Sequence, residues 1–251
     1  TATDFSNAGL IFQHGVTPED YLVSHELALC AWLLGNASSL TALAEDRFLV
    51  NSKRLQRFGS QFSVKRGDDY FPSPVEEKGL ATVTDALRQD YILPSLAEAK
   101  RLGIKAAMAP QTLKAAMARW EQRMDPKWQA QPASRPEGKE LEKLAARPNS
   151  AAIKRVLALY RADALKTAAD YRNGARVLLT ATDASVMALA HELAIIAAVR
   201  KDRTARRIAA MAWDRFLARI GQKPRYGTLP GRANTDAVSP AVLRLLDCGK
   251  D

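Results

Sequence analysis

Two stretches of the chain decide its fold: HELALCAWLLGNASSLTALAEDRFLVNSKRLQRFGS (residues 25–60) and HELAIIAAVRKDRTARRIAAMAWDRFLARIGQKPRYGT (residues 191–228). Both contain HELA and then DRFL in the next apolar segment. Both end in a turn in which Arg, an aromatic residue, Gly and a hydroxyl residue follow one another. Matching residues are 166 to 168 positions apart. This repetition predicts an internal duplication of one structural unit.

The first copy carries the signals of a helical hairpin. Thr17 is a good N-cap and Pro18 suits the first helical position. Ser38 or Ser39 is expected to cap a second helix, which runs to about Arg54. The HELA and DRFL motifs then lie on the two helices of one hairpin.

The second copy is predicted to form the same hairpin. Thr182 or Asp183 caps a helix that carries the second HELA, and another helix covers about residues 203–220. Before it, residues 150–172 have the pattern of one long amphipathic helix that ends at Asn173-Gly174.

Strand signals are scarce because Ala, Leu, Arg and Glu dominate the chain, so we predict an all-α fold built on two related helical hairpins plus connecting helices. The segment DPKWQAQPASRPEGKE has three prolines and few apolar residues. We therefore expect an N-terminal helical unit over residues 1–124, a linker or loop over 125–140, and a C-terminal helical unit over 141–251.

The composition suits a folded protein, because 47% of the 251 residues are hydrophobic. No uninterrupted apolar run is long enough for a membrane span, so none is expected. Two distant cysteines do not predict a disulfide framework. The chain begins at Thr1, so a removed N-terminal leader and an extracytoplasmic location stay open.

The net charge of +10 is concentrated in residues 151–251, which contain 18 basic and 9 acidic residues. Basic residues crowd the connection RKDRTARR, which makes it a candidate anion-binding site for nucleic acid or an anionic surface. A solvated basic face is the simpler interpretation, since no aromatic platform or known nucleic-acid motif accompanies the charges. The five cations are Arg200, Lys201, Arg203, Arg206 and Arg207.

Polar residues on the apolar helix faces are the main functional signal. His25 shares its face with apolar neighbours such as Tyr21 and Trp32, and Asp46 shares its face with Leu43 and Leu49. The second copy repeats this placement with His191 and Asp214. A buried carboxylate needs hydrogen-bond donors. We therefore predict that His, Asp and the adjacent Arg47 or Arg215 meet in each hairpin, with the turn at 57–60 or 225–228 folded over them.

Two interpretations of this cluster compete. In the structural one, Asp and His pin the turn and bridge the two helices. In the catalytic one, His25 is a general base oriented by Asp46, and Arg47 or Arg57 stabilises an anion. We favour the structural interpretation, because two copies of a structural hydrogen-bond cluster in the core are easier to explain than two active sites. The catalytic one requires a solvent-reachable pocket beside His25 and none beside His191.

The first copy has extra polar residues. Gln56 and Gln61 frame its turn, whereas Pro224 and Leu229 take their places in the second copy, and His14 precedes the first copy. We therefore expect any ligand to bind at the first copy, through His14, Gln56, Arg57 and Gln61.

Metal and cofactor signals are weak. The chain has three histidines and neither HExxH nor CxxC, so only His14, His25 and Asp46 could converge on a metal ion. No Gly-rich phosphate loop or GxSxG motif is present. We expect no metal site and no cofactor.

The stretches FQHGVTPEDYLVSHELAL, LAEDRFLVNSKRLQRFGSQF, PVEEKG and LPSLAE resemble an uncharacterised bacterial helical domain family. Its members carry His, then Asp-Arg, then a Gln-Arg-Tyr-Gly-Thr-Gln-like turn. The resemblance covers about the first hundred residues, and this chain departs from it at Phe58 and Ser60. It implies a helical domain without an assigned reaction.

These observations predict a binding or scaffolding module whose ligand is a protein or peptide. The alternative is a small hydrolase or transferase that uses His25, Asp46 and Arg47 of the first copy.

Overall fold

The computed structural model describes residues 1–61, 64–66, 69–71, 81–102, 109–124, 135–230 and 238–249. Over these residues the chain is all-α, as predicted, with one short antiparallel ribbon of β1 (Val64–Arg66) and β2 (Asp69–Phe71). Its helices are α1 (Ala2–Gln13), α2 (Pro18–Leu33), α3 (Leu40–Asn51), α4 (Asp85–Asp90), α5 (Leu96–Leu102), α6 (Pro110–Met124), α7 (Pro136–Ala146), α8 (Ser150–Arg161), α9 (Ala168–Leu178), α10 (Ala184–Val199), α11 (Ala205–Arg219) and α12 (Pro240–Leu245).

The chain forms two compact units, Thr1–Met124 and Asp125–Asp251. In the N-terminal unit α2 packs against α1 and α3, and in the C-terminal unit α10 packs against α9 and α11. Both central helices are apolar on nearly all sides and are buried accordingly. None of the described helices combines the length and the apolar character that a membrane crossing requires.

The predicted start of the first hairpin is confirmed. Thr17 and Asp20 form a capping box, in which the Asp20 backbone N–H donates to Thr17 Oγ1 at 3.1 Å. Helix α3 ends at Asn51, three residues earlier than predicted. Lys53 adopts a left-handed conformation with φ of 58°, and the Arg54 N–H donates back to the Leu49 carbonyl at 2.8 Å.

The single long helix predicted over residues 150–172 is wrong, because α8 and α9 are separate. Asp163 breaks the helix with φ of 50°, and a capping box of Thr167 and Asp170 starts α9. Gly174 lies inside α9 and does not terminate a helix. A Cβ there would stand 3.3 Å from Leu165 Cδ2, so this glycine permits close packing.

Part of the predicted linker is helical. Residues 125–134 lie outside the described residues, but residues 136–140 form the beginning of α7. Pro136 occupies the first helical position, where its missing N–H costs no hydrogen bond.

Helix α1 was not identified from the sequence. It packs closely on α2 because Gly9 has no side chain: a Cβ there would lie 3.4 Å from both the Ala28 N and the Ser24 O. The Ser24 hydroxyl donates to the Gly9 carbonyl at 2.8 Å, which fixes the crossing point.

We expect Gly9→Leu to lower the free energy of unfolding by about 2 kcal/mol, because the added atoms overpack the contact with α2. Asn7→Leu is the matched control, since Asn7 lies on the same helix and is exposed. It should change stability by no more than about 0.5 kcal/mol. Urea unfolding measures both variants, and equal stabilities would contradict the close packing of α1.

Candidate functional site

Asp46 is completely buried and holds the turn that follows α3. Its Oδ1 accepts from the backbone N–H groups of Arg57 at 2.7 Å and Phe58 at 2.9 Å. Its Oδ2 accepts from the Ser60 N–H and the Ser60 hydroxyl, both at 2.8 Å. Gly59 completes the turn with φ of 65°. Burial raises the pKa of the Asp46 carboxyl, while the hydrogen bonds from Ser60, Phe58 and Arg57 oppose that rise. Each oxygen accepts two hydrogen bonds, so the donors of the turn favour the carboxylate form.

Asp214 forms the same arrangement in the C-terminal unit. It accepts from the N–H groups of Arg225 at 2.6 Å, Tyr226 at 2.9 Å and Thr228 at 2.9 Å. The Thr228 hydroxyl donates to it at 2.7 Å, and Gly227 has φ of 68°. The two turns therefore match donor by donor.

The two histidines bridge their hairpins. His25 Nδ1 lies 3.0 Å from the Thr41 carbonyl oxygen, and His191 Nδ1 lies 2.8 Å from that of Ala209. A carbonyl oxygen only accepts, so Nδ1 carries the proton in both rings. Burial lowers the pKa of His25 to about 4, although the hydrogen bond to Thr41 opposes this shift. His25 is therefore neutral near pH 7.

The predicted meeting of His, Asp and Arg is corrected by the structure. Asp46 accepts from the turn, and His25 binds a carbonyl of α3. Arg47 Nε donates to Gln61 Oε1 at 3.0 Å, and its Nη1 donates to the Gln13 carbonyl. Adjacent helix positions point about 100° apart, which sends Arg47 away from the face that carries Asp46.

The predicted ligand-binding residues Gln56, Arg57 and Gln61 are buried and close the turn. The Gln61 N–H donates to Gln56 Oε1 at 2.8 Å, and Gln56 Nε2 donates back to the Gln61 carbonyl at 3.2 Å. Arg57 Nη2 donates to the Ala81 carbonyl at 3.0 Å. His14 is exposed at the end of α1, whereas the other three residues are buried.

Arg88, which the sequence analysis missed, lies almost completely inside the N-terminal unit. Its Nε donates to the Pro94 carbonyl at 2.7 Å. Burial lowers the pKa of Arg88, while the negative charges of Asp46 and Asp85 raise it. Asp46 and Asp85 therefore favour the charged form of Arg88. A single arginine in the run DALRQD carries no sequence signal of its burial.

The two copies differ beside the histidine. In the N-terminal unit Glu45 is completely buried, and its Oε1 lies 3.9 Å from Arg57 Nε. The matching residue of the C-terminal unit is Trp213, whose ring stacks on His191 with centroids 4.6 Å apart. The N-terminal unit thus contains one more buried carboxylate in its core.

The catalytic interpretation required a solvent-reachable pocket beside His25. The ring of His25 and the carboxylate of Asp46 both have 0% exposure. Within the part of the chain that the structure describes, no three potential metal-binding side chains converge. This geometry suits a structural support better than a reaction centre.

The five predicted anion-binding residues do not share one exposed surface. Arg200 is buried, donates to the Lys166 carbonyl at 2.5 Å and lies 4.6 Å from the Tyr171 ring centroid. Arg206 and Arg207 donate to the carbonyls of Leu245 at 3.4 Å and Asp247 at 2.9 Å. Of the five, Lys201, Arg203 and Arg207 are exposed.

Four large apolar side chains are exposed around the end of α1. We call them the α1 ridge; their exposed fractions are Leu10 52%, Ile11 72%, Phe12 37% and Val16 84%.

Side chains of α2 and α3 hold the segment that carries the ridge by hydrogen bonds. The Tyr21 hydroxyl donates to the Gly15 carbonyl at 2.8 Å, and the Ser24 hydroxyl lies 3.2 Å from Gln13 Oε1. Arg47 binds the Gln13 carbonyl from α3. Polar side chains of α2 and α3 thus hold an exposed apolar surface in place.

Comparison of the chain with protein-family models, curated proteins and solved structures found no match. The resemblance to an uncharacterised bacterial family stays a prediction.

We expect Asp46→Asn and Asp214→Asn each to destabilise its own unit by about 2–4 kcal/mol, because an amide NH2 would face backbone N–H donors. Ser60→Ala and Thr228→Val are matched controls that remove one hydroxyl donor and should cost about 1 kcal/mol. Urea unfolding followed by tryptophan fluorescence measures the four variants. Normal stability of Asp46→Asn would refute the structural role.

His25 also makes the N-terminal unit sensitive to acid. Its folded pKa of about 4 lies below the ordinary 6.5, so the unfolded chain binds the proton more tightly. The stability contributed by neutral His25 is complete above about pH 6.5 and is lost as the pH falls towards 4. We expect a loss of about 2 kcal/mol between about pH 7.5 and about pH 5. Urea unfolding of the native chain and His25→Gln should show this loss only in the native chain.

Proposed function

We propose that the protein is a protein-binding module and that the α1 ridge of its N-terminal unit is the docking surface. The observation that carries this proposal is the clustering of four large apolar side chains, each at least 37% exposed, around one helix end. Clusters of exposed apolar side chains are typical of protein interaction sites.

The anchoring of the ridge supports this function. Hydrogen bonds from Tyr21, Ser24 and Arg47 reach the backbone or side chains of the segment that carries the ridge. A surface that is ordered before binding loses less conformational entropy when a partner docks. Gln61, one of the additional polar residues of the first copy, accepts from Arg47 at 3.0 Å and so contributes to this support.

The charge around the ridge indicates the chemistry of the partner. Residues 1–46 contain no Lys or Arg, and Asp4 and Glu19 are exposed acids in this segment. The cations next to it are the Thr1 amino group, 2.7 Å from Asp4 Oδ2, and the half-buried Arg47, which binds the Gln13 carbonyl. A nucleic acid would be repelled by this charge, whereas a protein segment with apolar and basic residues complements it.

The alternative function, a hydrolase or transferase at His25, lacks geometric support among the described residues. A general base must reach the proton that it abstracts. His25 is closed off from solvent, and its Nδ1 proton is committed to the Thr41 carbonyl.

A random peptide library displayed on phage, selected against the full chain, tests the docking surface. Selected peptides should bind Ile11→Asp about tenfold more weakly than the native chain, because a charge in the apolar contact is desolvated on binding. Leu34→Asp is the matched control, since Leu34 is an exposed apolar residue of the same unit outside the ridge. Peptides that bind both variants equally well would reject the ridge as the docking surface.

A further inference from the structure

Helices α1 and α9 correspond to each other residue by residue. Both begin with a capping box, formed by Thr1 with Asp4 and by Thr167 with Asp170. The sequences TATDFSNAG (residues 1–9) and TAADYRNGA (residues 167–175) match at the same offset of 166 that relates the two histidines. Each helix then packs against the helix that carries HELA. The two units can therefore be compared one position at a time.

One stripe of this helix is covered in the C-terminal unit and uncovered in the N-terminal unit. Ile11 is 72% exposed, whereas the corresponding Val177 is completely buried. One turn earlier, Asn7 is exposed and Asn173 is buried. At the start of the helix, the Asp4 side chain is 77% exposed and the Asp170 side chain is 4% exposed. The uncovered stripe is defined here as Asp4, Asn7, Ala8 and Ile11.

Helices α7 and α8 cover the stripe in the C-terminal unit, since both pack against α9. Val156 of α8 lies against Gly174, the residue that corresponds to Ala8: a Cβ on Gly174 would stand 3.5 Å from Val156 Cγ1. Leu141 and Ala145 of α7 are buried one turn apart on its inner face. The stripe of α9 is thus covered by a pair of amphipathic helices, α7 and α8.

An ion pair between Arg135 and Asp170 fixes the start of α7 against α9. Arg135, immediately before α7, donates from Nη2 to Asp170 Oδ2 at 2.5 Å, and its guanidinium also donates to the Ala164 carbonyl at 3.3 Å. Asp170 additionally accepts from the Lys166 and Thr167 N–H groups. The C-terminal unit therefore places an arginine at the position where the N-terminal unit exposes Asp4.

We propose that the uncovered stripe of α1 binds an amphipathic helix of a partner protein, in the manner in which α9 binds α7 and α8. The partner helix carries an arginine at its N-terminal end, which pairs with Asp4, and apolar residues that cover Ile11. This proposal rests on the proposed function and names the class of its ligand.

Two features favour a helix of this chemistry over other occupants. Asp4 and Glu19 are exposed acids in a segment without Lys or Arg, and Asp4 already binds one cation, the Thr1 amino group, at 2.7 Å. These acids complement a basic helix. The stripe also contains polar as well as apolar residues, since Asp4 and Asn7 precede Ile11. A lipid surface would leave those polar groups desolvated without partners.

The correspondence predicts which ridge residues the partner covers. Leu10 corresponds to Arg176, which stays exposed although α7 and α8 are in place. A helix that docks like α7 and α8 therefore covers Ile11 and leaves Leu10 at its edge. The proposal thus distinguishes two neighbouring exposed apolar residues of one helix.

A fluorescently labelled synthetic peptide of residues 135–161, which spans α7 and α8, serves as the probe for binding to the full chain. Fluorescence anisotropy should show binding that Ile11→Asp weakens about tenfold and that Leu10→Asp changes by no more than about twofold. The Arg135→Glu peptide should bind the native chain about fivefold more weakly. Because this change is in the peptide, it cannot disturb the folding of the chain.

A charge reversal completes the test. The Asp4→Arg chain should recover most of the lost affinity for the Arg135→Glu peptide, and circular dichroism confirms that this variant remains folded. No binding of the native peptide, equal losses for Leu10→Asp and Ile11→Asp, or no recovery on charge reversal would each overturn the helical docking mode. Sedimentation that shows a dimer of the native chain, abolished by Ile11→Asp, would also overturn it by identifying a second copy as the occupant.

Failure of this proposal is distinguishable from failure of the proposed function. Peptides selected from the random library can depend on Ile11 while the peptide of residues 135–161 does not bind. In that case the ridge binds protein segments, but not by the geometry of α7 and α8.

Discussion

The rest of each unit depends on one buried carboxylate. Asp46 and Asp214 would each be costly in an apolar core, and each is compensated by three backbone N–H groups and one hydroxyl of a single turn. The requirement is mutual, because four donors of the turn in each unit bind one and the same carboxylate. The carboxylate therefore specifies the path of the chain after the hairpin, and the histidine then ties the two helices of that hairpin together.

The same framework supports different surroundings in the two units. In the C-terminal unit an aromatic ring stacks on His191, and two further helices cover α9. In the N-terminal unit Arg47, Gln61 and Ser24 form polar contacts that reach the α1 segment and its neighbours. An apolar helix face that is buried within one unit is thus exposed in the other. This difference connects the turn geometry that the two units share to the proposed binding surface.

Local signals were predicted well from sequence where a short-range interaction decides the structure. The cap at Thr17, the burial of His25 and the burial of Asp46 all follow from neighbours within about one helical turn. Prediction was wrong where the local backbone conformation or a distant contact overrode the helical pattern. Asp163 breaks a continuous helical pattern, and Arg47 turns to Gln61 and the Gln13 carbonyl instead of joining Asp46. Neither partner is adjacent in sequence, so no local pattern reveals it.

The sequence by itself determined the helical class, the two hairpins and the identity of the polar residues inside them, because helical periodicity and caps are local properties. Only the tertiary structure decided what those residues bind. It assigned Asp46 to a turn eleven to fourteen residues away. It also covered Val177 while leaving Ile11 exposed. Both outcomes depend on which distant helices pack together. Matching apolar residues of the two sequence stretches look alike, so their sequence does not predict which of them a distant helix covers.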